Sequence, residues 1–227
     1  LPDEPTWRWM QDAQAYRLLE QAQAEISPTL REPLLNLIPH LLAPRTLAQA
    51  QEAHWNVFGH TVRGDCPPHE IEYGELKADW LFQPHRLADI AAFYSAFGLE
   101  VPDDADERVD HVAMECEFFS VLCAKEAESL AEGSQEHIDI CRDAQKKFLR
   151  EHLGRWTPSF TRRLERLTND RLLQSLAAFL RASVILECER FGIAAGNEDI
   201  VLRPADDMTD PCGKCGIEGM KSETANA

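Results

Sequence analysis

The sequence predicts an all-α protein: a single helical-bundle domain over 1–204, interrupted by an irregular loop at 59–74 and followed by a polar tail, 205–227. Three observations carry this expectation. Apolar residues recur at helical spacing through most of the chain, as Leu87, Ile90, Ala91, Tyr94 and Phe97 do. No stretch alternates like a half-buried strand, and Val201 and Leu202 read as a short extended piece at most. Hydrophobic residues make up 44% of 227, enough for a sizeable core.

The elements follow in order. Residues 10–25 are good helix formers without Gly or Pro. Residues 29–58 continue as helix, but Pro33, Pro39 and Pro44 divide them into two, the second near 45–57. The loop 59–74 holds three glycines and a Pro-Pro pair and breaks every period. Residues 85–98 recover a helix that Gly98 closes. The acidic run 101–107 suits a helix N-terminus, with Asp106 as N-cap. Val109, Val112, Cys116, Phe119 and Cys123 then form a stripe to about residue 131, where Gly133 and Ser134 turn the chain. Residues 135–153 form an amphipathic helix ending at Gly154, and Pro158 opens a short helix to about 168. A last long helix covers 170–191, with Leu173, Leu176, Leu180 and Val184 on its buried side and Gly192 as its stop. The sum is roughly eight helices.

The formal charge, 23 − 39 = −16, argues against a nucleic-acid partner or docking on an anionic membrane. It fits a basic polypeptide partner, or serves solubility alone. No apolar run approaches the roughly 20 residues of a membrane span, and no signal-peptide pattern opens the chain. Seven cysteines, most of them single in helical patterns, read as reduced thiols in a cytoplasm.

Three constellations can carry chemistry. Asp110 and His111, with Glu115 one turn on, read as a general base or metal pair, or as a solvated helix start; HExxH is absent. The loop gathers Cys66, His69, Glu70, Glu72 and Tyr73, which reads as a binding loop or as a proline-stiffened turn. Cys212-Gly-Lys-Cys215 supplies half of a tetrahedral metal site, which Cys66 and His60 or His69 would complete; a redox pair and two free thiols are the other readings. No phosphate-binding glycine loop is present.

Four stretches together resemble a family: GHTVRGDCPPHEIEYG (59–74), LADIAAFYSAFGLE (87–100), ERVDHVAMECEFFSVLCAKE (107–126) and FLREHLGRWTPSFTRRL (148–164). In order and spacing they are similar to the TorD/DmsD/NarJ group of redox-enzyme maturation chaperones, over about 10–195. The resemblance implies an all-helical fold, no catalysis and no required cofactor. It implies a cytoplasmic chaperone that binds the twin-arginine leader or apo form of a molybdoenzyme catalytic subunit of the dimethyl-sulfoxide-reductase type, until its cofactors are in place. It puts Asp110 and His111 at the leader-binding groove. Val109 stands where the motif usually has proline, and His69 where it usually has an aromatic residue.

The terminal Cys-x-x-Cys together with the Cys-Pro-Pro loop resembles a subgroup of that family. This implies that Cys66, Cys212 and Cys215 meet around zinc or an iron–sulfur cluster, with His60 or His69 as fourth ligand. The alternative function is then a metal- or cluster-binding redox or regulatory protein; a structural subunit of an enzyme complex is a third. A basic, partly apolar leader needs an acidic rim and an apolar groove. The expected client contacts are Asp110, His111, Glu115, Tyr94, Trp80 and Tyr73. The fold class admits a monomer or a domain-swapped homo-oligomer.

Overall fold

A computed structural model of the chain describes residues 4–10, 12, 17, 21, 26–59, 64–74, 82–101 and 107–203. Its α-helices are α1 (Glu4–Met10), α2 (Pro28–Leu41), α3 (Leu47–Phe58), α4 (Phe82–Ala96), α5 (Val112–Glu132), α6 (Gln135–Glu151), α7 (Leu153–Leu167) and α8 (Arg171–Arg190). A 3-10 turn, Glu70–Glu72, sits in the loop. The fold is all-α: among the described residues no strand forms, and backbone pairing outside helices is limited to two isolated bridges, His69 with His111 and Tyr73 with Leu202. The helix expected over 10–25 falls largely outside the described residues.

Helix boundaries follow local chemistry. Thr46 caps α3 with a full capping box, its hydroxyl accepting from Gln49 N–H while Gln49 accepts from Thr46 N–H. Asp170 caps α8 by accepting from Leu173 N–H and is also ion-paired with Arg45. That contact ties the start of α8 to the chain just before α3. Gly133 takes the left-handed conformation (φ +72°) that ends α5, and Ser134 N–H returns to Ser129 O at 3.0 Å.

Three expectations are corrected. The long helix does not start at an Asp106 cap: it starts at Val112, and His111 is its N-cap. Gly154 and Pro158 do not separate two helices; both lie inside α7, which begins directly after a break at His152. Proline removes the donor that Gly154 O would receive within the helix, and Gly196 N–H supplies it instead at 2.9 Å. Finally, Leu176 is 45% exposed, and the interior residues of α8 are Ala177, Val184 and Cys188.

Helix α8 packs against both α2 and α7, and α5 pairs with α6. Two apolar clusters result. One centres on Ile90, Tyr94, Phe118, Leu122, Phe148 and Val184. The other centres on Cys66, Tyr73, Trp156, Phe160 and Ala177, so the loop is itself part of the core. Burying one such large side chain is worth about 1.5–3 kcal/mol.

Candidate functional site

The loop 64–74 is held by backbone first. Glu70 N–H donates to Asp110 O at 2.9 Å and Val112 N–H donates to Pro68 O at 2.9 Å, which closes the His69–His111 bridge. On its other side Gly74 N–H donates to Val201 O and Arg203 N–H to Glu72 O. Thus the start of α5 and the segment after α8 clasp the loop between them.

Beneath the loop lies a buried polar cluster. Glu70 is fully buried, and its carboxylate receives His152 Nδ1 at 2.9 Å and Arg155 Nη2 at 2.9 Å, with Arg86 Nε at 3.0 Å. Burial alone would raise the Glu70 carboxyl, but the hydrogen bond and charge of His152, with Arg155 and Arg86, hold it below the usual carboxylate range. His152 Nε2 lies 3.2 Å from Asp89 Oδ2, which links the buried carboxylate to the surface of α4. Arg155 also donates to Tyr73 O at 3.3 Å. One carboxylate therefore ties the loop to α4 and to the α6–α7 break.

Glu115 is the contrasting case. It is fully buried, and Trp156 Nε1 donates to it at 3.0 Å. Burial, then the neighbouring Glu70 charge, push its carboxyl well above the usual range. Glu115 therefore keeps its proton to higher pH than an ordinary carboxyl, while Glu70 gives its proton up at lower pH. The consequence has a definite sign: above the unfolded carboxyl pKa the folded state holds a proton more tightly than the unfolded chain does. Stability falls as pH rises from the unfolded carboxyl pKa near 4.5 toward the folded value. Glu115→Gln keeps an acceptor for Trp156 and removes that titration. Denaturant melts between pH 4.5 and 8 are expected to show a flatter pH profile in the variant and no loss of stability at pH 8. A variant that parallels wild type across this range would show that Glu115 does not titrate there.

At the α5 start, Asp110 and His111 divide their roles. Asp110 is fully buried and accepts from Arg108 Nε (2.9 Å) and Nη2 (2.7 Å) and from Ile71 N–H (3.2 Å), with His69 Nδ1 3.7 Å away. Burial opposes its charge, yet His69, Arg108 and the Ile71 amide together hold its carboxyl below the usual range. His111 Nδ1 accepts from Ala113 N–H at 3.1 Å. Burial, partly countered by Glu107, pushes its pKa down to about 4, so the neutral ring carries its proton on Nε2. That nitrogen lies 3.7 Å from Glu107 Oε2, and Glu107 is exposed. The His111 ring meets His69 edge-on at 5.2 Å between centroids. The site thus presents a neutral imidazole and a free-facing carboxylate over a rigid, ion-paired floor.

Of the six expected client contacts, the structure brings Asp110, His111, Glu115, Tyr73 and Tyr94 close to this junction, but only His111 and its neighbours reach the surface. Tyr73 and Tyr94 are core residues; the Tyr94 hydroxyl donates to Val109 O at 2.8 Å. Trp80 lies outside the described residues. So do Cys212, Cys215 and His60. Cys66 is fully buried against Phe160, and burial pushes its thiol up to about 12. In this conformation it is a protonated core residue, and His69 is engaged with His111 and Asp110. Among the described residues no three metal-ligating side chains converge, and no helix is long and apolar enough to cross a membrane. Sequence reasoning missed Glu70, His152, Arg155, Arg86 and Trp156 as one unit. Their signal was scattered, with Glu70 in the loop, His152 at the α6–α7 break, and Arg86, Arg155 and Trp156 on two different helices.

Comparison with known proteins agrees with this architecture. A family model described as nitrate reductase delta subunit matches residues 20–162. The selenate reductase assembly chaperone protein of Thauera selenatis is 35% identical over 79 residues, 35% of this chain and 40% of that protein. The chlorate reductase assembly chaperone protein of Ideonella dechloratans is 34% identical over 79 residues, with the same coverage. The matched stretch is thus well under half of either relative. No solved structure matches the chain. With the family model spanning more than half of its length, on an all-α fold, the chain belongs to the nitrate reductase delta subunit family, the family of NarJ/TorD-type chaperones.

Proposed function

We propose that this protein is an assembly chaperone for the catalytic subunit of a molybdenum-containing reductase, acting by binding and not by catalysis. Its client contact is the surface at the α5 start, where His111 and Glu107 stand over the buried Asp110–Arg108 pair. The family and the two relatives named as reductase assembly chaperones support the general reading. The observation that carries the site is the division of labour between Asp110, buried and fully hydrogen-bonded, and the pair beside it, a half-buried His111 ring next to the exposed Glu107 carboxylate. A floor that costs this much ordering is suited to holding a small exposed feature in one place.

The client segment is a twin-arginine leader or a similar basic stretch of the apo enzyme. A guanidinium pairs with the Glu107 carboxylate, and an apolar side chain rests on the His111 ring. A charge-assisted hydrogen bond of this kind is worth about 1.5–3 kcal/mol when well placed. Glu107→Gln combined with His111→Ala is therefore expected to weaken binding of an Arg-containing leader peptide by about 10- to 100-fold in calorimetry, with the melt lowered only by the roughly 1 kcal/mol that losing the His111 cap costs. Unchanged affinity would move the contact elsewhere. Asp110→Ala is the poorer test, because it takes from Arg108 and the Ile71 amide the acceptor they share and loosens the loop as well.

A further inference from the structure

On the other side of the loop from the α5 start, α7 and the segment 198–201 enclose an open groove of about 260 Å³. Ser159, Arg163, Arg166, Leu167, Ile200 and Val201 line it, along with Glu198 and Asp199. Both acids are engaged: Glu198 with Arg162, and Asp199 with Arg166 at 3.4 Å. Arg163 is not matched in this way. It donates to Asp65 O at 3.3 Å, its buried Nε has no hydrogen-bond partner, and it pairs with no carboxylate among the described residues. Two exposed apolar residues flank it, Leu167 at 45% and Val201 at 63%. In a chain of net charge −16, an unmatched guanidinium between exposed apolar groups is an exception that asks for an anionic, partly apolar occupant.

We infer that the occupant is this chain's own segment Asp206-Asp207-Met208-Thr209-Asp210, docked in the α7 groove on Arg163. Its composition is complementary, with three carboxylates for Arg163 and the edge of Arg166, and Met208 for Leu167 and Val201. Its tether is short. The backbone is anchored at Leu202 and Arg203 by the Tyr73 bridge and the bond to Glu72 O. Val201, which lines the groove, is five residues before Asp206, a span of at most about 18 Å. Such a short tether gives the segment a high effective concentration at the groove. Docking also gives Cys212 and Cys215 a place. They follow Asp210 by two and five residues, so the pair is held on the outer surface of α7, while Cys66 stays in the core beneath.

The test uses the full chain. In the Arg163→Lys variant a water-soluble carbodiimide joins the new amine to any carboxylate in contact with it. Peptide mass spectrometry is expected to find position 163 coupled to residue 206, 207 or 210. The product should fall by about fivefold or more at 1 M salt, where the Debye length is near 3 Å. Mixing isotope-labelled and unlabelled protein separates coupling within a chain from coupling between chains. In parallel, amide hydrogen exchange of residues 204–212 is expected to speed up about fivefold in Arg163→Glu and equally in Asp206→Asn/Asp207→Asn/Asp210→Asn. The second variant leaves the groove untouched, so a folding defect in the first cannot decide the outcome. Coupling only to other positions, coupling between chains, or unchanged tail exchange in both variants each overturns the docking.

Discussion

Glu70→Ala is expected to lower stability by about 3–5 kcal/mol, the cost of removing one partner from a buried charge network. For a chain of this size that is a drop in melting temperature of roughly 10–15 °C. The reason is the number of groups left behind. His152, wholly buried, loses its Nδ1 acceptor, and Arg155 and Arg86 each lose the carboxylate they face. His152 cannot turn to bulk water without opening the packing around the α6–α7 break, and Arg155 and Arg86 are left with only part of their side chains accessible. Because Glu70 also belongs to the 3-10 turn, the loop is expected to loosen with it. Faster amide exchange should therefore extend from Ile71 to the Asp110–His111 junction. A thermal melt within about 2 °C of wild type would show that the network holds no more than a surface ion pair does. Glu70→Gln, which keeps two polar atoms in place, should fall between the two.

Gly196→Ala is expected to cost about 3 kcal/mol, at the upper end of what overpacking a close-packed site does. A Cβ on residue 196 would stand 1.8 Å from Arg155 O, which is backbone inside α7 and cannot step aside. Moving the 196 segment away to make room breaks the Gly196 N–H bond to Gly154 O, which is the bond that compensates for Pro158. The variant therefore damages α7 at its weakest point. Replacing Pro158 with Ala in the same chain restores an internal donor for Gly154 O and should recover part of the loss. A shift of roughly 6–12 °C in the single variant, reduced in the double, would confirm the coupling; equal melts for single and double would deny it.

These two sites mark the line between what a sequence reader can see and what is hidden. The helical period of 85–98 and the stripe from Val112 to Cys123 were legible, because a helix buries residues three and four apart whatever it packs against. The loop at 59–74 was legible as an interruption, from its glycines and the Pro-Pro pair. Family resemblance brought Asp110 and His111 forward as functional. The roles within the pair were not legible, because burial is not a property of a residue type. Asp110 goes inside because His69, Arg108 and the Ile71 amide meet it there, and His111 is only half-buried because it caps a helix whose start lies six residues after the acidic cap that local propensity favours.

The boundary at Gly154 and Pro158 was misread for a related reason. Glycine and proline usually end helices, since one is too free and the other lacks a donor. Here α7 runs through both. Gly154 is required because a Cβ there would press on Leu149 O and Cys188 Sγ, and the donor missing at Pro158 arrives from Gly196, forty-two residues from Gly154 in sequence. By itself, the amino-acid order determined which segments are helical, how acidic the surface is and which loop interrupts the bundle, because these depend on neighbours along the chain. Only the tertiary structure decided that Glu70, His152, Arg155 and Arg86 form one network, that the Glu115 carboxyl is pushed well above its usual range and that Arg163 pairs with no carboxylate among the described residues. Each of those states is set by the electrostatic and packing environment that distant segments create together.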